Sequence, residues 1–210
     1  MSDLALRSLS GITLILIALA AAFLGGYVFA VLAASAAVLM FAEWRKITSG
    51  WGFAWSAAGF FYALLPALAL LWIRDRADQG FELLIWVFIV TWSTDIGAYF
   101  AGRAIGGPKL APSISPNKTI AGLFGGIVSA GLAGFAWSQF AHLPALLIWV
   151  APLLAVAAQV GDLFESWMKR KAGVKDSGTW LPGHGGALDR LDGLVPVAVI
   201  TAALVLGGYA

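Results

Sequence analysis

The sequence contains no cysteine, and only 11% of its 210 residues are charged. The absence of thiols excludes disulfides, thiolate metal ligands and a cysteine nucleophile. Ordinary soluble domains carry roughly 25% charged residues, so the scarcity of charge and the hydrophobic content of 60% indicate a membrane protein. The net charge of +2 is too small to suggest a nucleic-acid partner.

Long hydrophobic runs predict an all-α polytopic membrane protein with about seven transmembrane helices. The runs cover residues 9–24, 27–41, 53–73, 81–100, 120–140, 146–167 and 194–209. The first run resembles a signal peptide, but a second run follows it directly across Gly25-Gly26, which favours two spanning helices. We expect a single integral membrane domain over residues 1–210, with N-terminal helices in 1–80 and catalytic helices and loops in 81–210.

The distribution of basic residues predicts the orientation of these helices. Seven spans place alternate loops on opposite sides, so that eleven of the thirteen Lys and Arg residues share one side and only Arg74 and Arg76 lie on the other. By the positive-inside rule, the N-terminus and the basic side are cytoplasmic. Three polar segments fall on that side: the end of the fourth span, the loop 102–119 and the segment 162–192. We expect a multi-pass protein of a bacterial cytoplasmic (inner) membrane.

Segment 162–192 concentrates the polar chemistry, with five of the eleven acidic and five of the thirteen basic residues. Its first four polar residues follow the i, i+3, i+4, i+7 spacing of one helical face: Asp162, Glu165, Ser166 and Lys169. A purely structural, ion-paired face is the alternative interpretation.

Asp95 lies well inside the fourth apolar run. A carboxylate within a spanning helix is energetically costly and indicates a functional role. Tyr99 is four residues further on, so both side chains can face one cavity. The alternative is an aspartate that only bonds a neighbouring helix. In the fifth span, Gly122 and Gly126 form a small-xxx-small pair, which predicts close helix packing.

The polar residues indicate phosphoryl or nucleotidyl transfer to a lipid. Three carboxylates suit a hard cation such as Mg²⁺, which prefers oxygen ligands: Asp162, Asp189 and Asp192. Five bases are candidate phosphate partners: Lys118, Lys169, Arg170, Lys175 and Arg190. Glycines around His184 allow backbone N–H groups to approach an anion closely.

Two motifs resemble the phosphatidate cytidylyltransferases (CDP-diacylglycerol synthases). The first matches that family's signature without a gap over residues 166–192: Ser166, Lys169, Arg170, Lys175, Asp176, Pro182, His184, Gly185, Gly186, Asp189, Arg190 and Asp192. The second is Thr94-Asp95-x-x-Ala98-Tyr99, Gly102-Arg103 and Lys109-Leu110-x-Pro112-x-Ile114-Ser115-Pro116-x-Lys118-Thr119. The chain departs from the family at Gly107, usually Lys, and at Ala121, often Glu.

This resemblance implies transfer of CMP from CTP to phosphatidate, giving CDP-diacylglycerol and pyrophosphate. It implies catalytic roles for Asp95, Lys169, Arg170, Lys175, Asp176, His184 and Arg190. It implies substrate-phosphate contacts at Ser115, Pro116, Lys118, Thr119, Ser166, Gly185 and Gly186. Asp162, Asp189 and Asp192 would hold Mg²⁺, and a second cation is left open. The partners would be CTP, phosphatidate and the bilayer, with a homodimer as a family expectation.

Two other functions also fit the residues. A CTP-dependent lipid kinase needs the same acids and bases but moves the terminal phosphate. An ion-coupled transporter would use Asp95 and Asp162 as an ion path, although segment 162–192 is larger than a simple loop requires. CDP-alcohol phosphotransferases are disfavoured because their DG-x-x-AR pattern is absent.

Overall fold

The computed structural model describes residues 3–178, 180 and 185–208, and side chains from residue 9 onwards. Within these residues the chain forms helices and one short hairpin: Asp3–Leu24 (α1), Gly26–Ile47 (α2), Phe53–Arg74 (α3), Gly80–Ile105 (α4), Lys109–Ala111 (β1), Ser115–Thr119 (β2), Ile120–Phe140 (α5), Leu146–Lys171 (α6), Leu188–Leu191 (α7) and Leu194–Leu206 (α8). The first six predicted hydrophobic runs lie within helices α1 to α6, and the last run, 194–209, is helical from Leu194 to Leu206, with residue 209 outside the described residues.

In the described part of the chain, five helices, α2 to α6, are long and apolar enough to cross a membrane. Residues 9–24 of α1 and 194–206 of α8 form shorter apolar helices. The protein is therefore an integral membrane protein with several spanning helices, as predicted, and the count of seven stays a prediction. Helices α2, α4 and α6 continue past the predicted ends of their apolar runs, because helical hydrogen bonds continue into polar interface residues.

The segment between α4 and α5 is a β-hairpin, which the all-α prediction did not include. Strands β1 and β2 are antiparallel, with Lys109 opposite Thr119. Helix α4 ends where Gly106 and Gly107 take φ values of 67° and 88°, which side chains rarely tolerate. Thr119 then caps α5, because its Oγ1 accepts the Gly122 N–H at 3.0 Å. The hairpin thus connects two membrane helices in a fixed geometry.

Helices α4 and α5 pack backbone against backbone. A Cβ added to Gly97 would lie 2.5 Å from the Gly125 carbonyl oxygen, and one added to Gly126 would lie 2.9 Å from the Thr94 carbonyl oxygen. Likewise, a Cβ on Gly122 would lie 2.9 Å from the carbonyl oxygen of a residue of α4. The structure confirms the predicted packing role of Gly122 and Gly126.

Contacts between loops show which loops share an end of the helix bundle. At one end, Gln79 Nε2 donates to the Ala141 carbonyl oxygen at 3.0 Å. At the other end, Arg170 Nε donates to the Ile114 carbonyl oxygen at 3.2 Å, which joins the end of α6 to the hairpin. These contacts agree with the predicted alternation of loops.

Candidate active site

A cavity of about 1130 Å³ lies between the helices, with a polar end and apolar walls. The apolar walls come from α1, α2 and α3, and the polar end from α4, β2, α6 and α7. Eight predicted site residues line the cavity: Asp95, Lys118, Thr119, Asp162, Lys169, Asp189, Arg190 and Asp192. Tyr99 also lines it, as its spacing from Asp95 predicted. The structure therefore brings the three predicted polar segments together.

The other predicted site residues that the structure describes lie outside the cavity lining. Ser115 and Pro116 lie on β2, and Lys175 and Asp176 are exposed in the segment that follows α6. His184 lies outside the described residues. The structure therefore does not test its predicted catalytic role.

Lys169 is held between two carboxylates. Its Nζ lies 2.6 Å from Glu165 Oε2 and 2.6 Å from Asp189 Oδ1. The three side chains are only 12%, 2% and 9% exposed, so the charges are poorly screened by water. The cofacial arrangement of Glu165 and Lys169 on α6 is confirmed, and Lys169 in addition ties α6 to α7. Glu165 was not a predicted site residue, although its spacing placed it on this face.

Asp189 accepts hydrogen bonds at both carboxylate oxygens. Besides Lys169 on Oδ1, its Oδ2 accepts the backbone N–H of Ser177 at 2.9 Å, that of Gly186 at 2.8 Å, and contacts Ser177 Oγ at 2.9 Å. Burial raises the pKa of the Asp189 carboxyl, but the bonds from Lys169 and from the two backbone N–H groups outweigh it and lower this pKa to about 2. Asp189 therefore organises the loop around it and is ionised at neutral pH.

Gly186, predicted to contact phosphate, donates its backbone N–H to Asp189. Gly185 has a φ of 84°, and a Cβ there would lie 2.7 Å from Asp189 Oδ2. Both positions therefore need glycine for the fold of this loop. Ser166, another predicted phosphate contact, has its Oγ 3.3 Å from Asp162 Oδ1.

Lys118 joins the hairpin to α6. Its Nζ lies 2.5 Å from Asp162 Oδ2 and 2.7 Å from Gln159 Oε1. Gln159 is buried and was not predicted from the sequence, because an amide within an apolar helix gives no motif. The predicted convergence of this loop with the sixth span is thus made by a direct ion pair.

Acidic residues crowd the deepest polar part of the cavity. Burial raises the pKa of the Asp192 carboxyl well above its usual value, and the nearby charges of Asp162 and Asp95 raise it further. Among the described residues, no three acidic or histidine side chains already stand together as a metal site. Asp162 and Asp192 nevertheless fit Mg²⁺ by donor chemistry, since they supply hard oxygen atoms and excess negative charge. Asp189 fits less well because its Oδ2 already accepts two backbone N–H groups, from Ser177 and Gly186, whereas the described contacts of Asp162 are with side chains, those of Lys118 and Ser166.

Two further residues at this end of the molecule contact the site's scaffold. Glu43 on α2, which is 2% exposed, accepts the backbone N–H groups of Ala187 at 3.0 Å and Leu188 at 2.8 Å. Lys171, at the end of α6, has its Nζ 4.4, 5.3 and 5.2 Å from the ring centres of Trp51, Trp55 and Trp167. Such cation–π contacts with tryptophans are typical of a membrane interface.

Residues 48–206 match the cytidylyltransferase family. The chain belongs to this family. The match covers α3 to α8 with the hairpin, and so includes every cavity-lining residue singled out above. It does not reach Glu43.

Proteins named phosphatidate cytidylyltransferase are similar to this cytidylyltransferase-family chain. The one from Brucella suis is 47% identical over 173 residues, which cover 80% of this chain and 62% of the relative. That from Rickettsia bellii is 37% identical over 209 residues, covering 95% and 89%. That from Bacillus subtilis is 47% identical over 123 residues, covering 57% and 46%. The chain thus spans less than two thirds of the length of the Brucella relative.

Proposed function

We propose that this protein transfers CMP from CTP to phosphatidate, producing CDP-diacylglycerol and pyrophosphate. One observation carries the proposal beyond family membership: a single cavity joins a polar end rich in acids and bases to long apolar walls. A lipid with a phosphate headgroup needs both surfaces. A nucleoside triphosphate needs only the polar end.

The proposed reaction requires no strong general base from the protein. The second pKa of a phosphate monoester is about 6, so the phosphatidate oxygen is largely deprotonated at neutral pH. This oxygen attacks the α-phosphorus of CTP, the bond between that phosphorus and the α–β bridging oxygen breaks, and pyrophosphate leaves. Negative charge builds up on the transferring and leaving phosphates, and basic residues that line the cavity stabilise it: Lys118, Lys169 and Arg190.

Lys169 is preorganised for this role. An ammonium group has three N–H donors; one is donated to Asp189 Oδ1, and Glu165 Oε2 holds the group by an ion pair at 2.6 Å. A remaining donor is available for a phosphate oxygen. Because the lysine is already held in place, it loses little side-chain entropy when the substrate binds.

Mg²⁺ is the proposed cofactor, held by Asp162 and Asp192 with Asp95 close by. When bound, it would neutralise charge on the CTP phosphates and on the departing pyrophosphate. Asp189, which the sequence motif also assigns to the metal, supports the site through Lys169 and the loop. A second cation is compatible with the surplus of acidic residues.

Labelled CTP tests the proposed reaction. Purified protein with phosphatidate and Mg²⁺ should incorporate label into lipid from α-labelled CTP and not from γ-labelled CTP. Asp162→Asn should abolish incorporation, and removal of Mg²⁺ with a chelator should do the same. Label entering lipid only from the γ position would establish a lipid kinase instead. No incorporation from either position would contradict both CMP transfer and lipid kinase activity.

We also propose seven spans with a cytoplasmic N-terminus and active site, in a bacterial cytoplasmic membrane, and a homodimer. The absence of cysteine makes orientation straightforward to test. Single cysteines at Lys175 and Asp78, in loops at opposite ends, should react differently with a membrane-impermeant maleimide. In intact spheroplasts only the Asp78→Cys protein should be labelled, and equal labelling would contradict the topology. Cross-linking in membranes tests the dimer.

A further inference from the structure

Glu43 is a buried carboxylate that lies outside the cavity lining of the described residues and outside the region matched to the family. Glu43 is 2% exposed, and the family match begins at residue 48. An uncompensated buried carboxylate is strongly destabilising. The hydrogen bonds that Glu43 accepts must therefore offset this cost, and their donors lie near Asp189 in the sequence or bond to it.

The described donors to Glu43 all come from the segment that carries Asp189. Oε1 accepts the Ala187 N–H at 3.0 Å, Oε2 accepts the Leu188 N–H at 2.8 Å, and Ser177 Oγ lies 2.9 Å from Oε2. These residues follow Glu43 by 134 to 145 positions. One carboxylate of α2 therefore binds both ends of the loop 177–188.

Two glycines close around this carboxylate. A Cβ added to Gly178 would lie 2.8 Å from Glu43 Cδ, and one added to Gly186 would lie 2.6 Å from the same atom. Real Cβ atoms do not approach so closely, so only glycine lets the backbone wrap the carboxylate on both sides. The described residues on both sides of the carboxylate therefore pack closely around Glu43.

A hydrogen-bonded chain links Glu43 to the phosphate-binding lysine. Ser177 Oγ lies 2.9 Å from Glu43 Oε2 and 2.9 Å from Asp189 Oδ2, so its single proton can be donated to either carboxylate. Asp189 Oδ1 in turn accepts from Lys169 Nζ at 2.6 Å. This chain runs from α2 through the loop to α6 and ends at an ammonium group in the cavity.

We propose that Glu43 is a positioning residue: it fixes Ser177, Ala187 and Leu188 so that Asp189 holds Lys169 in its catalytic position. The effect on catalysis rests on the proposed CMP transfer. The effect on the loop follows from the contacts alone. A residue that served only general stability would act on the whole fold and not on this loop in particular.

Glu43→Gln tests the proposal, with Glu82→Gln at the other end of the bundle as the matched control. The glutamine is similar in size but offers one acceptor where two backbone N–H groups need two. We expect kcat for CMP transfer to fall roughly 10- to 100-fold, as displacements near 1 Å can cause, while KM for CTP changes much less. Ser177→Ala, which cuts the chain but keeps both backbone bonds, should give a smaller loss of kcat.

Hydrogen–deuterium exchange gives a readout that does not depend on activity. In Glu43→Gln, which leaves one of these two N–H groups without its acceptor, the amide of Ala187 or that of Leu188 should exchange roughly tenfold faster, in line with one lost hydrogen bond. Exchange in α4 and α5, and in the Glu82→Gln protein throughout, should match the wild type.

The outcomes separate this proposal from the proposed function. Wild-type kcat in Glu43→Gln, or faster exchange spread evenly over all helices, would overturn the positioning role. If the wild-type protein does not transfer CMP at all, the proposed function fails. In that case faster amide exchange confined to residue 187 or residue 188 still supports Glu43 as the anchor of these residues, and unchanged exchange at both refutes it.

Discussion

Replacing Lys169 with methionine should destabilise the protein and abolish its activity. Methionine keeps a similar length but removes the ammonium that lies 2.6 Å from both Glu165 and Asp189. The two carboxylates would then face each other with side chains only 2% and 9% exposed. Neither charge would be well solvated, and the two would repel.

The expected loss of stability follows from the burial of this cluster. Removing one partner of a buried ion pair costs about 3–5 kcal/mol. For a chain of this size, each kcal/mol lowers the unfolding midpoint by roughly 2–4 °C, so the shift should be roughly 6–20 °C. Glu165→Gln combined with Lys169→Met should recover part of this loss, because one of the two unpaired charges is then absent. It should not recover CMP transfer, because the ammonium is still missing.

The assay is thermal unfolding of the detergent-purified protein, with CMP transfer measured on the same samples. Lys46→Met, at an exposed position of α2, is the matched control and should behave like the wild type in both measurements. The reasoning is refuted if Lys169→Met unfolds at the same temperature as Lys46→Met. It is also refuted if the double variant regains activity.

Three further substitutions have expected outcomes. Because the pKa of Asp189 is lowered to about 2, its ionised carboxylate contributes about 2 kcal/mol to the free energy of unfolding above about pH 4, and this contribution is lost as the pH falls towards 2. In thermal unfolding measured at a series of acidic pH values, Asp189→Asn should therefore lose less stability over that range than the wild type. Gly125→Leu should separate α4 from α5 and cost about 1–3 kcal/mol or more, whereas Val128→Leu, at a position 57% exposed, should not change the unfolding midpoint. Lys118→Met should raise KM for CTP roughly tenfold in initial-rate kinetics, as the loss of one charge-assisted hydrogen bond predicts; an unchanged KM would remove Lys118 from the substrate site.

Local patterns in the sequence predicted much of this structure. Hydropathy located the apolar helices, since a spanning helix needs a long apolar run. Helical spacing placed Glu165 and Lys169 on one face, and the Gly122–Gly126 pair predicted close packing of α5 against another helix, which the structure shows to be α4. These properties depend on neighbours within one or two helical turns, which a single sequence displays directly.

Other features depend on partners distant in the chain and gave no local signal. Glu43 stands beside basic residues at the end of an apolar run, like any residue at a membrane interface. Its role depends on a loop 134 residues away. Gln159 likewise becomes a site residue only because Lys118 reaches it from the hairpin. The sequence motif likewise did not reveal that Asp189 accepts the backbone N–H groups of Ser177 and Gly186, and its predicted role as a metal ligand stays a prediction.

The contact of Lys171 with three tryptophan rings has a consequence for depth in the membrane. Indole rings favour the headgroup level, so this contact marks where α6 leaves the bilayer. Asp162 is nine residues earlier, about 13 Å along a helix that rises 1.5 Å per residue. The headgroup layer on each side is only about 5–8 Å thick. We therefore expect the acidic end of the cavity to lie below the headgroup layer, so that the phosphate of the proposed lipid substrate would have to sink out of line with its neighbours in the leaflet.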